Sequence, residues 1–365
     1  MSKTRIICTV TNDLNYDQRM IRICNSLNAA GYDVLLTGVK KKKSSSLIPK
    51  SFAQKRIRVF FEKGKLFYLE YNLKLFVYLL FIRADIFCAI DLDTIVPVYY
   101  ASVFRNKKRA YDAHELFTEM QEVMSRPAIY KMWSWVERKY VKRFSAGYTV
   151  GAYIADIFRE RYQVNYGLVR NITVLKTIQI PEKKERYILY QGAVNVGRCF
   201  EYLIPAMKNV NAQLIICGEG NFFEEAQRIA KENKLEDKVI FKGYVPPDEL
   251  KNYTLNAYIG ITLFEAIATS NKYSLANRFF DYLHNGVPQL CVKYPEYEKI
   301  NDDFEVAYLI ESPTVENIAK GLNDLLQNEE LYKRLQQNCL KAREQYCWQH
   351  EEKVLLNIYQ DLAKA

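Results

Sequence analysis

Hydrophobic and polar positions along the chain fall into short apolar runs separated by stretches of helical period. In the first half, TRIICTVT, YDVLLTG, RIRVFF, ADIFCAI, KRAYDA and AGYTV are rich in β-branched and aromatic residues and predict strands. Tyr16–Ala30, Tyr68–Ile82, Thr94–Phe104 and Ile129–Phe144 show helical patterns between most of them. The second half repeats the alternation. RYILYQG, AQLIICG, KVIFKG, AYIGITL, PQLCV and VAYLI read as strands, with helical segments near 199–208, 222–233, 248–253 and 275–285.

Strands alternating with helices call for parallel sheets covered on both faces. Two such series predict an α/β protein of two Rossmann-like, doubly wound domains facing a cleft, with loops beyond the strand carboxyl ends offered to ligands. Periodicity lapses within LVRNITVLKTIQIPEKKER, 168–186, where charge and a proline accumulate. The expected division is 1–175, 176–345, and a terminal helix at 346–365 that packs back on the first domain.

Composition narrows the class. Eight cysteines form no C-x-x-C pair, and Cys8, Cys88, Cys217 and Cys291 fall inside expected strands, as in a reduced cytoplasmic protein. The opening MSKTRIICTVTND lacks a signal-peptide layout, and the longest charge-free apolar run, Leu75–Ile82, is far short of a membrane span. The net charge of +10 divides unevenly: residues 1–180 carry +15 and residues 181–365 carry −5. A basic first half suits an anionic surface, either membrane lipid or nucleic acid.

Three turns in the second half could carry chemistry. In YILYQGAVNVGRCFEYL a strand ends at Gly192, and Arg198 stands where a helix begins, a place suited to a diphosphate. The alternative is a plain turn with a solvated arginine. Gly218-Glu219-Gly220 links a strand to a helix and permits close ligand approach, but is weak alone. SLANRFFDYLHNGVPQLC, 274–291, reads as a helix capped by Ser274 and stopped by Gly286 and Pro288. It places Asn277, Arg278 and Asp281 within one turn of each other. Asp281 could accept two ribose hydroxyls, or merely pair with Arg278 on an exposed face.

Taken in order, YQGAVNVGR, LIICGEGN, DKVIFKGYVPPDEL and NRFFDYLHNGVPQL resemble the C-terminal domain of retaining GT-B glycosyltransferases, glycosyltransferase family 4 in particular. VTNDLNYDQRMIRICNSLNAAGYDV, ADIFCAIDLDTIVP and YDAHELFTE resemble the N-terminal domain of a bacterial branch of that family. The resemblance covers nearly the whole chain. It implies Gly192 at the donor phosphates and Arg198 on the diphosphate, with Gly218 a donor-binding position. Glu219 joins these as a donor-loop residue, Tyr244 and Val245 flank the base, and Asn277, Arg278 and Asp281 form a donor-facing corner. The chain departs from the family pattern twice. Asp281 stands for the second of two glutamates, with Tyr273 or Glu265 in place of the first. Leu203 replaces an expected lysine, whose charge Lys272 or Arg278 could supply.

In the first half the resemblance implies His114 near the transferred sugar, supported by Asp112. TNDLNYDQR ends the first strand and opens a helix, so Asn12, Asp13 and Arg19 could meet the acceptor or the donor diphosphate, and Glu115 is a further acceptor-side candidate. Asp91-Leu92-Asp93 matches the D-x-D metal signature of another glycosyltransferase fold, but here opens a helix, so no metal and no cofactor are expected.

The implied activity is retaining, metal-independent transfer of a sugar, hexosyl or related, from a nucleoside-diphosphate sugar to a glycan or lipid-linked acceptor in polysaccharide synthesis. FEKGKLFYLEYNLKLFVYLLFIR, 61–83, reads either as a helix buried over Leu73–Ile82 or as a surface resting on the inner face of the membrane. Lys40–Lys43 and Lys55–Arg58 would assist the second arrangement. Nucleic acid is not expected as a partner. The rival readings are a non-catalytic basic scaffold and a nucleotide-sugar epimerase on the same fold.

Overall fold

Residues 3–182, 184–266 and 269–364 are described by the computed structural model. The chain divides into unit 1, Met1–Arg170 with Glu351–Ala365, and unit 2, Asn171–His350.

Unit 1 runs β1 (Arg5–Thr9), α1 (Gln18–Ala29), β2 (Asp33–Lys40), β3 (Ala53–Arg58), α2 (Gly64–Phe81), β4 (Ile86–Ile90), α3 (Asp91–Phe104), β5 (Lys108–Ala113), α4 (Gln121–Met124), α5 (Pro127–Tyr140), β6 (Ala146–Thr149), α6 (Ala152–Tyr162) and β7 (Gly167–Leu168). Its strands are all parallel, in the order β3-β2-β1-β4-β5-β6-β7. The central strand β4 is buried throughout, which is why ADIFCAI shows no alternation. Strand order reverses between β1 and β4. There the buried Thr94 hydroxyl meets Thr9 Oγ1 at 2.9 Å and fixes the first turn of α3 across both strands.

Unit 2 runs β8 (Glu185–Gln191), α7 (Phe200–Ala206), β9 (Gln213–Cys217), α8 (Phe223–Glu232), β10 (Val239–Gly243), α9 (Pro247–Asn256), β11 (Ala257–Thr262), α10 (Thr269–Lys272), α11 (Asn277–His284), β12 (Gln289–Val292), α12 (Pro295–Phe304), β13 (Ala307–Ile310), α13 (Val315–Gln327) and α14 (Glu329–Gln345). Its parallel sheet has the order β10-β9-β8-β11-β12-β13, reversing between β8 and β11. Helix α11 lies on this sheet, with Tyr282 Oη donating to Leu189 O at 2.8 Å. A Cβ on Gly260 would sit 2.4 Å from the Tyr282 ring, so this strand position must be glycine. The last helix, α15 (Trp348–Lys364), crosses into unit 1, where Tyr359 is buried with its hydroxyl 3.3 Å from that of Tyr148.

Several expectations are corrected. Helix α11 begins at Asn277, because Ser274 Oγ is spent on Asn271 O at 2.9 Å, closing the turn after α10. The third strand lies at Ala53–Arg58, earlier than RIRVFF suggests. Helix α3 starts at Asp91, whose φ of +51° sets a sharp exit from β4. Leu73–Ile82 is not a helix buried all round: Leu75 and Leu79 are buried, but Leu73, Val77 and Phe81 stand exposed.

Candidate functional site

Each sheet gathers polar side chains where its strand order reverses, the place where parallel sheets open a crevice. In unit 2, β8 gives way to Gly192 (φ +120°) and β9 to Gly218 (φ +153°). A Cβ on Gly218 would lie 1.8 Å from the Gly192 carbonyl oxygen, so glycine alone lets these loops nest. Val194 N–H donates to Glu219 O at 3.0 Å, joining them further.

Arg278 rises from the first turn of α11 into this corner and is only 8% exposed. Its guanidinium carbon lies 4.7 Å from the Tyr190 ring centre and 4.6 Å from that of Phe264. Arg198 rests on the same Phe264 ring at 4.3 Å. Two guanidinium groups thus share one aromatic platform. Among the described residues, neither Nε nor Nη2 of Arg278 has a hydrogen-bond partner. A buried cation with free donors is costly unless an anion completes it. Gly192 stands beside it: a Cβ there would come within 3.3 Å of Arg278 Nη1. The arrangement suits a diphosphate, whose charge is spread over several oxygens.

Asp281 faces differently from Arg278. Its Oδ1 accepts from Thr173 Oγ1 at 2.8 Å and its Oδ2 from Gln191 Nε2 at 3.0 Å. Thr254 Oγ1 donates to Gln191 Oε1 at 2.7 Å, extending the chain of bonds into the core.

In unit 1 a cavity of about 890 Å³ opens at the reversal between β1 and β4. Its polar floor holds Thr11, Asn12, Asp91, Asp93, His114 and Glu115, and Trp133 and Val136 of α5 contribute to an apolar wall. His114 is clasped from several sides. Its backbone N–H donates to Asp91 Oδ1 at 2.8 Å, Nδ1 lies 3.5 Å from Asp91 Oδ2, and Nε2 lies 3.0 Å from Asp112 Oδ2. Asp112, fully buried, also receives Arg19 Nη2 at 2.7 Å, while Arg19 Nη1 donates to Val169 O at 2.9 Å. Thr11 Oγ1 donates to Asp93 Oδ2 at 2.8 Å.

Burial opposes charge on His114, but Asp112 and Asp91 outweigh it and push the imidazole up to about 9. His114 is therefore a fixed cation at neutral pH and not a free base. Burial pushes Asp91 up to about 7 and Asp93 up to about 6. Asp112 stays below its ordinary value despite burial, because Arg19 and His114 hold its charge.

These shifts predict a pH profile. The raised His114 contributes stability that is complete below its unfolded value of 6.5 and lost as pH rises through about 9. Asp91 and Asp93 hold protons in the fold that the unfolded chain has released, so they too make stability fall with rising pH, up to about 7 and about 6. Calorimetry should show Tm declining from pH 5 toward pH 9. His114→Gln should flatten the part between 6.5 and 9.

The expected residues are thus distributed unevenly. Gly192, Arg198, Gly218 and Arg278 converge, and Asp281 joins them through Gln191. Glu219 accepts the Tyr244 backbone N–H at 3.3 Å, and Tyr244 and Asn277 are exposed. Beside Tyr244, the Val245 side chain is buried in a core cluster with Leu189 and Cys217. Leu203, at the expected lysine position, is fully buried. Asn12, His114 and Glu115 line the cavity. Arg19 and Asp112 do not: both are buried, and Asp112 is bonded to Arg19 and to His114. Asp13 is turned away, receiving Arg56 Nη2 at 2.9 Å. The platform residues Phe264 and Tyr190 and the partner Gln191 have no signal in the sequence beyond position near strand ends, and Thr173, in the irregular stretch before β8, has none.

Residues 174–342 match the family described as Glycosyl transferases group 1. A poly(glycerol-phosphate) alpha-glucosyltransferase of Bacillus subtilis is 27% identical over 179 residues, which make up 46% of this chain and 25% of that one. The chain spans between a quarter and a half of the length of the curated relatives it matches. Among solved structures, sucrose-phosphate synthase from Thermosynechococcus elongatus aligns over 99% of both chains with TM-score 0.82 and 14% identity. Anabaena Alr3699/HepE in complex with UDP-glucose aligns over 99% of this chain and 100% of that one, with TM-score 0.76 and 11% identity.

Proposed function

We propose, from the premise that this chain is a GT-B protein whose residues 174–342 belong to the group 1 glycosyl transferases, that it is a glycosyltransferase using a nucleoside-diphosphate sugar. The acceptor is a hydroxyl of a glycan or lipid-linked glycan in cell-surface polysaccharide synthesis. The observation that carries the reading is the Arg198–Phe264–Arg278 platform beside the nested Gly192 and Gly218 loops. The solved complex of HepE with UDP-glucose and the glucosyltransferase name of the Bacillus relative accord with it.

In the reaction the acceptor oxygen forms a bond to the anomeric carbon, and the bond from that carbon to the diphosphate oxygen breaks. The electron pair goes to the departing nucleoside diphosphate, and the hydroxyl proton passes to its phosphate oxygen, on the face that retains configuration. Arg198 and Arg278 supply positive charge where negative charge grows, so the mechanism needs no metal. Asn277 and Asp281 take the ribose, and Glu219 and Tyr244 border the base. Glu265, whose N–H donates to Gly197 O at 3.1 Å, stands beside Arg198 in the place of the first glutamate. His114 provides fixed positive charge at the acceptor cavity, with Asn12 and Glu115 as acceptor contacts.

Titration calorimetry with UDP, GDP, ADP and CMP, with and without magnesium, tests this. The expected result is micromolar binding of one diphosphate, indifferent to magnesium and weakened by Asp281→Ala. Binding only with magnesium overturns the metal-free mechanism. No binding of any nucleotide overturns the transferase in favour of the basic scaffold. Unchanged affinity in Asp281→Ala removes the ribose role.

A further inference from the structure

Helix α2 carries two apolar stripes on opposite sides. Phe67, Tyr71, Leu75 and Leu79 are buried, whereas Leu66, Leu69, Leu73, Val77 and Phe81 stand in solvent, Leu69 at 67% and Phe81 at 83% exposure. The exposed five span an arc of about 120° and a length of about 22 Å along the helix. Single exposed leucines need no explanation, but a continuous stripe does. Apolar surface continues beside it. Phe104, 70% exposed at the end of α3, lies 6.1 Å from the Phe76 ring, and Phe60, 71% exposed, is held by its N–H to Glu70 at 2.9 Å.

Cations frame the stripe. Lys65 and Lys74 occupy its two edges, Lys63 and Arg83 are exposed just beyond the helix ends, and Lys42 Nζ lies 5.7 Å from the exposed Phe60 ring. Of the carboxylates here, Glu70 is neutralised by Lys74 at 2.6 Å and by the N–H groups of Phe60 and Phe61, and Glu62 accepts the Lys42 backbone N–H at 2.6 Å. No helix among the described residues is long and apolar enough to cross a membrane. An apolar strip one helix wide, bordered by lysines, suits a helix lying in the plane of a bilayer interface. A second copy of the chain would bring the same cations against these and be repelled.

We propose that the outer face of α2 seats unit 1 on an anionic membrane leaflet. Leu69 and Lys65 belong both to this face and to the lining of the 890 Å³ cavity, so the cavity mouth opens at the leaflet. This rests on the transferase reading in one respect: it names the acceptor as lipid-linked, entering from the bilayer with its apolar chain against the α5 wall.

Flotation with phosphatidylcholine vesicles, with and without phosphatidylglycerol, tests the surface. The wild-type chain should float with the anionic vesicles and release as salt rises. Leu73→Glu/Phe81→Glu, at exposed positions outside the cavity lining, should lower partitioning by about tenfold or more with Tm and nucleotide affinity unchanged. Lys41→Ser/Lys42→Ser should lose the preference for phosphatidylglycerol. Wild type that does not float, or a glutamate variant that floats equally well, overturns the proposal. So does a wild-type dimer that the glutamate variant converts to monomer, which would make this face an interface between copies. Nucleotide affinity is read separately in unit 2, so failure of the transferase reading remains distinct.

Discussion

Replacing Arg278 by methionine is expected to lower diphosphate affinity and turnover by about 100-fold or more while leaving the unliganded protein as stable as before, or more so. In the free protein Arg278 is 8% exposed, its guanidinium lies against Tyr190 and Phe264, and among the described residues its Nε and Nη2 lack hydrogen-bond partners. Desolvating those donors without an acceptor is a cost the fold carries only for what an anion returns. Methionine keeps the apolar contacts with both rings and removes the cost. Losing one preorganised donor from a developing oxyanion typically removes about 2.7–4 kcal/mol, or about 10²–10³ in rate. Thermal unfolding with and without UDP or GDP separates the outcomes. Wild type should gain Tm with the nucleotide that binds, and Arg278→Met should not. If the variant gains as much as wild type, Arg198 alone holds the diphosphate and Arg278 is packing.

This corner was partly legible in the sequence, and the limit has a physical cause. Gly192, Arg198 and Gly218 announce themselves because a strand that ends in glycine before a helix has few other uses. Asn277, Arg278 and Asp281 fall within one helical turn, so their proximity follows from spacing alone. Their orientations do not. Arg278 turns to Phe264 and Asp281 to Gln191, partners that the parallel sheet brings from other βα units, and Asp281 also meets Thr173 of the irregular stretch before β8. The Arg19–Asp112 pair is hidden for the same reason, since 93 residues separate its members.

The apolar faces show the converse difficulty. FYLEYNLKLFVYLLF is apolar on both sides of the helix, so its periodicity offers no contrast, and only the packed structure distinguishes the buried Tyr71 and Leu75 from the exposed Leu73 and Val77. Helix α12 goes unannounced in the sequence because PEYEKINDDF buries few apolar side chains, chiefly Tyr297 and Ile300. A helix that touches the core at two points leaves a faint period in the sequence.

Asp112→Asn is expected to produce the largest loss of stability among single changes in unit 1. Asp112 is fully buried and accepts from Arg19 Nη2 at 2.7 Å, Arg19 Nε at 3.3 Å and His114 Nε2 at 3.0 Å. The amide keeps the shape but not the charge, leaving the 3% exposed Arg19 guanidinium without its counter-ion. Breaking a buried pair on one side typically costs about 3–5 kcal/mol. Adding Arg19→Met should recover much of that loss, because the uncompensated charge goes with it. The second signature is independent of stability. Asp112 is the largest influence raising His114, so without it the imidazole titrates well below about 9. The fall in Tm between pH 6.5 and 9 should then shrink, and turnover should decline at a lower pH than in wild type. Asp112→Asn/Arg19→Met keeps that displaced pH profile even with stability restored, if Asp112 positions and charges His114. A profile that returns to wild type along with stability would mean that the Arg19–Asp112 pair serves packing alone.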